Sequence, residues 1–172
     1  GAWRCGKGSR VADMSVIRFG VEGWRARVDA GFDRANVARL AEALGRTWAS
    51  RFSGSTVLVG FDTRRDSERM ALLAGQIMAA CELSIVVSDR PCPLPALAWS
   101  AAHDSSCVGA VMVTASGKSH KHGGILVRQS DGGPVNESFA EAVERRVAGH
   151  PTSARGQIER ADFVSGYVDA LV

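Results

Sequence analysis

The chain has 172 residues, 45% of them hydrophobic and 23% charged, with a formal net charge of +3. That size suits one ordinary globular domain, which buries about 70% of its unfolded surface without staples. No apolar run approaches a membrane span, and no dense Lys/Arg run with interleaved aromatics points to a nucleic-acid partner.

Residues 1–14 carry Arg4, Lys7 and Arg10 but no apolar segment, so they read as a disordered leader or an expression remnant rather than a signal peptide. From Asp33 to Ser50, apolar residues recur at Val37, Leu40, Ala41, Leu44 and Trp48, which predicts a helix with Asp33 as its N-cap. Thr56 to Phe61 is a short, continuously apolar run of the kind found in buried parallel strands. Ser67 to Cys81 is again helical, and Leu83 to Val87 is a second buried strand. Pro91, Pro93 and Pro95 stiffen a loop whose last proline fits the first turn of a helix reaching Ala102. Val108 to Thr114 and Ile125 to Arg128 are the third and fourth strands, and Asn136 to Val147 is a helix.

The residues after this helix divide in two. Residues 149–160 are polar and turn-rich and read as a linker. Residues 161–172 regain helical spacing at Phe163, Tyr167, Val168 and Leu171, and so predict a helix that packs against something. The alternation of strands and helices predicts a three-layer α/β/α sandwich with a mixed, mostly parallel four-stranded sheet. Ligands of such sheets gather beyond the carboxyl ends of the strands. Trp24, Trp48 and Trp99 occupy apolar positions and are expected in the core or at its rim. The cysteines Cys5, Cys81, Cys92 and Cys107 form no CxxC pair, which indicates neither a zinc knuckle nor a redox motif and fits a reduced, cytoplasmic setting.

Two strand ends carry candidate chemistry. The run Val111 to Thr114 leads into Ala115-Ser116, then the small, basic segment Gly117-Lys118-Ser119-His120-Lys121-His122. A hydroxyl at a sheet mouth among cations is what phosphoryl transfer requires. Asp62-Thr63-Arg64 follows the Thr56 strand. Asp62 suits a metal ligand, a carboxylate that orients Arg64 or a structural role within its loop. His120 and His122 are spaced to hold a metal together with Ser116, or to be idle loop residues. Gly117-Lys118-Ser119 has the ending of a P-loop, but the required earlier glycine falls at Met112 in strand core.

Four stretches together resemble the first domain of the α-D-phosphohexomutases, the phosphoglucomutase/phosphomannomutase family. They are Ile17-Arg18-Phe19-Gly20-Val21-Glu22-Gly23-Trp24-Arg25, Val59-Gly60-Phe61-Asp62-Thr63-Arg64, Ser88-Asp89-Arg90-Pro91-Cys92-Pro93-Leu94-Pro95-Ala96-Leu97 and Gly109 to Val127. Their order and spacing agree with the family over residues 15–148. The closing helix resembles the one leading to the family's second domain. The resemblance implies that Ser116 carries a phosphoryl group, which it donates to a hexose phosphate and recovers at a different oxygen. A phosphoserine adds about −1.5 to −2 charge and needs cations around it. Arg25 matches the arginine of the family's first loop and Arg64 that of its second. Lys118 stands where a replacement cation is useful. Mg2+ is implied as cofactor, held in part by Ser116.

The same comparison exposes departures. Gly117 and Lys118 replace the family's His-Asn, and Ser119 and His120 replace two prolines. Leu126 replaces a lysine that the resemblance casts as a general acid/base. The main magnesium motif of the family belongs to its second domain, and its sugar-selecting and phosphate-clamping loops to the third and fourth. None is present in this chain. Two functions therefore stay open. One is a phosphohexomutase domain bearing the phosphoryl-transfer serine for hexose phosphate isomerisation, inactive or impaired as this chain alone. The other is a degenerate, non-catalytic module that binds anions or pairs with another chain through residues 161–172.

Overall fold

A computed structural model describes residues 16–114 and 121–172. Its elements in chain order are β1 (Trp24–Arg27), α1 (Arg34–Phe52), β2 (Thr56–Phe61), α2 (Ser67–Ala79), β3 (Ser84–Ser88), α3 (Leu94–Ala102), β4 (Cys107–Thr114), β5 (His122–Gln129), α4 (Glu137–Arg146), β6 (Glu159–Ala161) and α5 (Ser165–Ala170). α1 starts where the cap predicts: Asp33 Oδ1 accepts a hydrogen bond from the Asn36 N–H at 2.8 Å. α3 carries Pro95 in its first turn, where the missing N–H costs nothing.

The sheet has six strands rather than the four expected, in the order β1-β5-β4-β2-β3-β6. β4, β2, β3 and β6 run parallel, while β5 is antiparallel to both β4 and β1. The two added strands are the edges. β1 lies inside the glycine-rich motif around Trp24, and β6 is three residues of Glu159-Arg160-Ala161. An edge strand needs no continuous apolar run, because one of its sides is open.

Strand alternation distributes the core to both faces of the sheet. Val57, Val59 and Phe61 join one buried cluster with Val37, Leu40 and Leu44 of α1, Ile77 and Met78 of α2, and Phe139 and Val143 of α4. Leu58, Ala110 and Met112 join the other with Leu97 and Ala101 of α3 and with Phe163. This is the α/β/α sandwich. Trp24 and Trp48 are buried, Trp24 stacking on Phe32 with ring centroids 5.6 Å apart. Trp99 is half-buried at the rim.

The segment after α4 stays against the domain. Residues 149–157 form no regular element, yet the Gly156 N–H donates to the Gln76 carbonyl at 2.8 Å. β6 then pairs with β3, and Phe163 is buried. The helix expected over 161–172 is confined to α5, because the residues before it are drawn into the sheet and the core. Asp162 accepts from the Ser165 hydroxyl and from the Ser165 and Val164 N–H groups, which holds its carboxyl down to about 2. No helix of the described residues is long and apolar enough to cross a membrane.

Candidate functional site

The site lies at the carboxyl ends of β2 and β4, where β1 and β5 close the sheet. Gly20 and Gly23 exchange backbone hydrogen bonds of 3.1 and 2.9 Å, folding the first motif into a tight turn. Gly23 has φ +91, and a Cβ there would stand 2.1 Å from the Ile125 carbonyl oxygen, so only glycine lets this turn lie on β5. The preceding Phe19 N–H is anchored on Glu144 Oε2 at 3.0 Å.

β1 then places Arg25 opposite Gly124, and Gly124 opposite Thr114 on β4. Arg25, Gly124 and Thr114 thus form one rung across three strands. The rung borders a cavity of about 340 Å³ lined by Glu22, Arg25, Thr114, Gly124 and Leu126. Arg25 is exposed, and among the described residues nothing accepts its guanidinium. Its neighbour Arg27 is engaged instead by Asp29, with contacts of 3.0 and 3.1 Å. That hydrogen-bonded pairing holds the Asp29 carboxyl below its ordinary range.

Asp62 organises the other half. Its Oδ1 accepts from the Arg64 N–H at 3.0 Å and from the Ser67 hydroxyl at 2.6 Å. Its Oδ2 accepts from the Thr114 hydroxyl at 3.0 Å and lies 3.7 Å from Arg64 Nε. These contacts are those of a carboxylate that braces its loop and orients Arg64. Arg64 Nη1 donates to the His122 carbonyl at 2.9 Å. A second cavity of about 360 Å³ is lined by Val28, Phe32, Arg64, Arg65, Val113 and His122.

Of the residues expected at the site, Arg25 and Arg64 are both at the carboxyl end of the sheet, but they line different cavities. His122 opens β5, opposite Arg27. Ser116, Lys118 and His120 lie outside the described residues. Leu126 is partly buried against the second cluster and presents a hydrocarbon surface to the Arg25 cavity. Among the described residues no three His, Cys, Asp or Glu side chains converge on a possible metal position. Thr114 and Ser67 were not foreseen. For Thr114 the available signal was a hydroxyl residue at the last position of an apolar strand, beside a strand followed by an aspartate.

Among the described residues, no cysteine lines either cavity. Cys92 and Cys107 are buried and Cys81 is half-buried, and burial raises all three thiols above their ordinary value.

Comparison with known proteins agrees with this architecture. The family model for phosphoglucomutase/phosphomannomutase, alpha/beta/alpha domain I, matches residues 16–153. A phosphoglucomutase of Staphylococcus aureus (strain bovine RF122 / ET3-1) is 25% identical over 136 residues, covering 77% of this chain and 24% of the relative. A crystal structure from Thermus thermophilus, described as a phosphomannomutase, superposes with a TM-score of 0.86 at 33% identity. It covers 92% of this chain and 36% of the other. A phosphoglucomutase/phosphomannomutase family protein of Burkholderia thailandensis superposes with a TM-score of 0.72 at 19% identity, over 91% of this chain and 35% of the other, a likeness of fold. The chain thus spans about a quarter of the curated relatives it matches and about a third of the structures. It belongs to the phosphoglucomutase/phosphomannomutase family, of which it carries the α/β/α domain I.

Proposed function

We propose that the chain is the serine-bearing domain of a phosphohexomutase, in which Ser116 holds and transfers a phosphoryl group to and from a hexose phosphate. The observation that carries this reading is the rung Arg25–Gly124–Thr114, two residues ahead of Ser116 in the chain. It offers an arginine with no described partner beside an open gap, and an Arg fork suits phosphate bidentately. Arg25, Arg64 and Lys118 are assigned to the phosphate charge. Mg2+, when bound, would lend positive charge to the transferring phosphoryl group. The described residues bring together no group of three carboxylate, imidazole or thiol side chains for it.

The chemistry asks for a bond from Ser116 Oγ to phosphorus as the phosphorus–oxygen bond of the donor breaks. The hydroxyl proton must then leave to a base. Leu126 has no group to take it. Loss of a general acid/base typically costs about 10²–10⁴-fold in rate. The domain is accordingly inactive or impaired as this chain alone. Leu126 also favours the second reading, a non-catalytic domain that keeps an anion pocket or pairs with another chain.

One experiment separates the two readings. The intact protein is incubated with glucose 1,6-bisphosphate and magnesium, and its mass is measured. The enzyme reading expects one added phosphoryl group, absent in Ser116→Ala. A mass that never changes, even when the full gene product is used, sinks that reading and leaves the anion-binding one.

A further inference from the structure

We infer that Asp62 and Arg64 form a clamp on the two ends of the segment that carries Ser116, and act as positioning residues for it. This rests on the proposal that Ser116 is the phosphoryl carrier. The segment leaves β4 at Thr114 and re-enters the sheet at His122. Asp62 Oδ2 accepts from the Thr114 hydroxyl at 3.0 Å, and Arg64 Nη1 donates to the His122 carbonyl at 2.9 Å. The two clamp residues are themselves joined, through the Arg64 N–H on Asp62 Oδ1 at 3.0 Å and the ion pair at 3.7 Å. One aspartate–arginine unit therefore ties both ends of the segment to the end of β2.

The unit is held from behind. The Asp62 N–H donates to the Val113 carbonyl at 3.2 Å, which extends the pairing of β2 with β4 to the clamp itself. The Ser67 hydroxyl, at 2.6 Å from Oδ1, locks the carboxylate against the start of α2. Thr114 and Ser67 are nearly buried, at 9% and 7% exposure, and each hydroxyl donates to this carboxylate. A charged acceptor strengthens each of these bonds over its neutral counterpart. Arg64, by resemblance a phosphate contact, thus has a second duty, holding the His122 end while its charge faces the same region.

The test is backbone amide exchange over residues 115–121 in the intact protein, for Thr114→Val, Thr114→Ser and Asp62→Asn. Valine keeps the shape of threonine and deletes the hydroxyl. Exchange in that segment is expected to rise roughly 5- to 10-fold in Thr114→Val and Asp62→Asn, as loss of one net hydrogen bond predicts. Thr114→Ser, which keeps the hydroxyl, should match the parent. Unchanged exchange in Thr114→Val, or an equal rise in Thr114→Ser, overturns the clamp. Should Asp62→Asn fail to fold, the threonine pair decides alone.

Phosphoryl uptake provides the second readout. Thr114→Val is expected to slow it by roughly 10- to 100-fold, as a small misplacement of the reacting group does. The half-saturating concentration of glucose 1,6-bisphosphate should stay where it is. Uptake at the parent rate overturns the clamp. Absence of uptake in the parent, the full gene product included, overturns the function proposed above, and the exchange experiment then still judges the clamp.

Discussion

Gly124 shows how little room the site leaves at one atom and how much at the next. A Cβ on this residue would stand 2.7 Å from the Trp24 carbonyl oxygen and 3.2 Å from that of Thr114. Both obstacles are backbone, in strands paired on either side, so neither swings away. Gly124→Ala should therefore destabilise the domain by about 1–3 kcal/mol, the usual cost of overpacking. Gly20 is the control: a Cβ there meets nothing within 4 Å, so Gly20→Ala should leave the unfolding midpoint almost unmoved. Urea unfolding of the two variants checks this, and equal midpoints would show that β1 and β4 can part to admit a methyl group. The same residue keeps the space between Arg25 and Thr114 open. The packing requirement and the functional requirement coincide at one position.

At the level of elements, α5 depends on a charge. The Asp162 carboxylate accepts from two backbone N–H groups and a hydroxyl at the start of this short helix, and those bonds are stronger to the ionised form. Its folded value of about 2 lies below its ordinary 3.8, so the cap contributes above pH 3.8 and is lost as pH falls through 2. The Val164 and Ser165 amide resonances should shift with a midpoint near 2, and Asp162→Asn should abolish that titration. A midpoint at 3.8 would mean the cap does not form in solution. The neighbouring elements show which parts of the fold a sequence reveals. β2 was legible because it is buried on both faces and apolar throughout, and α1 because its spacing and its cap agree. β6 was not, since Glu159 and Arg160 carry no strand pattern; Arg160 holds the strand down through bonds of 3.0 and 2.7 Å to the Ser88 carbonyl. At the site, Arg25, Asp62 and Arg64 were visible as motif residues. The Thr114–Asp62 and Arg64–His122 contacts were not, because they join positions 52 and 58 residues apart, which no local pattern records.

Across the whole molecule, the site becomes measurable through global stability. Any ligand that binds the folded chain and not the unfolded one raises the free energy of unfolding by RT ln(1 + [L]/Kd). If Arg25 faces phosphate, inorganic phosphate at ten times its dissociation constant should stabilise the protein by about 1.4 kcal/mol, a rise of a few degrees in Tm for a chain of this length. Phosphate also stabilises proteins generally by exclusion from their surfaces, a contribution that a single surface charge does not change. Arg25→Ala separates the two effects. Arg25 is exposed and has no partner among the described residues, so its removal should leave the stability in chloride buffer as it was. The exclusion effect then persists in the variant, and only the binding increment disappears. Thermal unfolding of both proteins across a phosphate series at constant ionic strength reads that difference. Parallel curves would remove Arg25 from the anion site and leave the rung Arg25–Gly124–Thr114 as a packing arrangement alone.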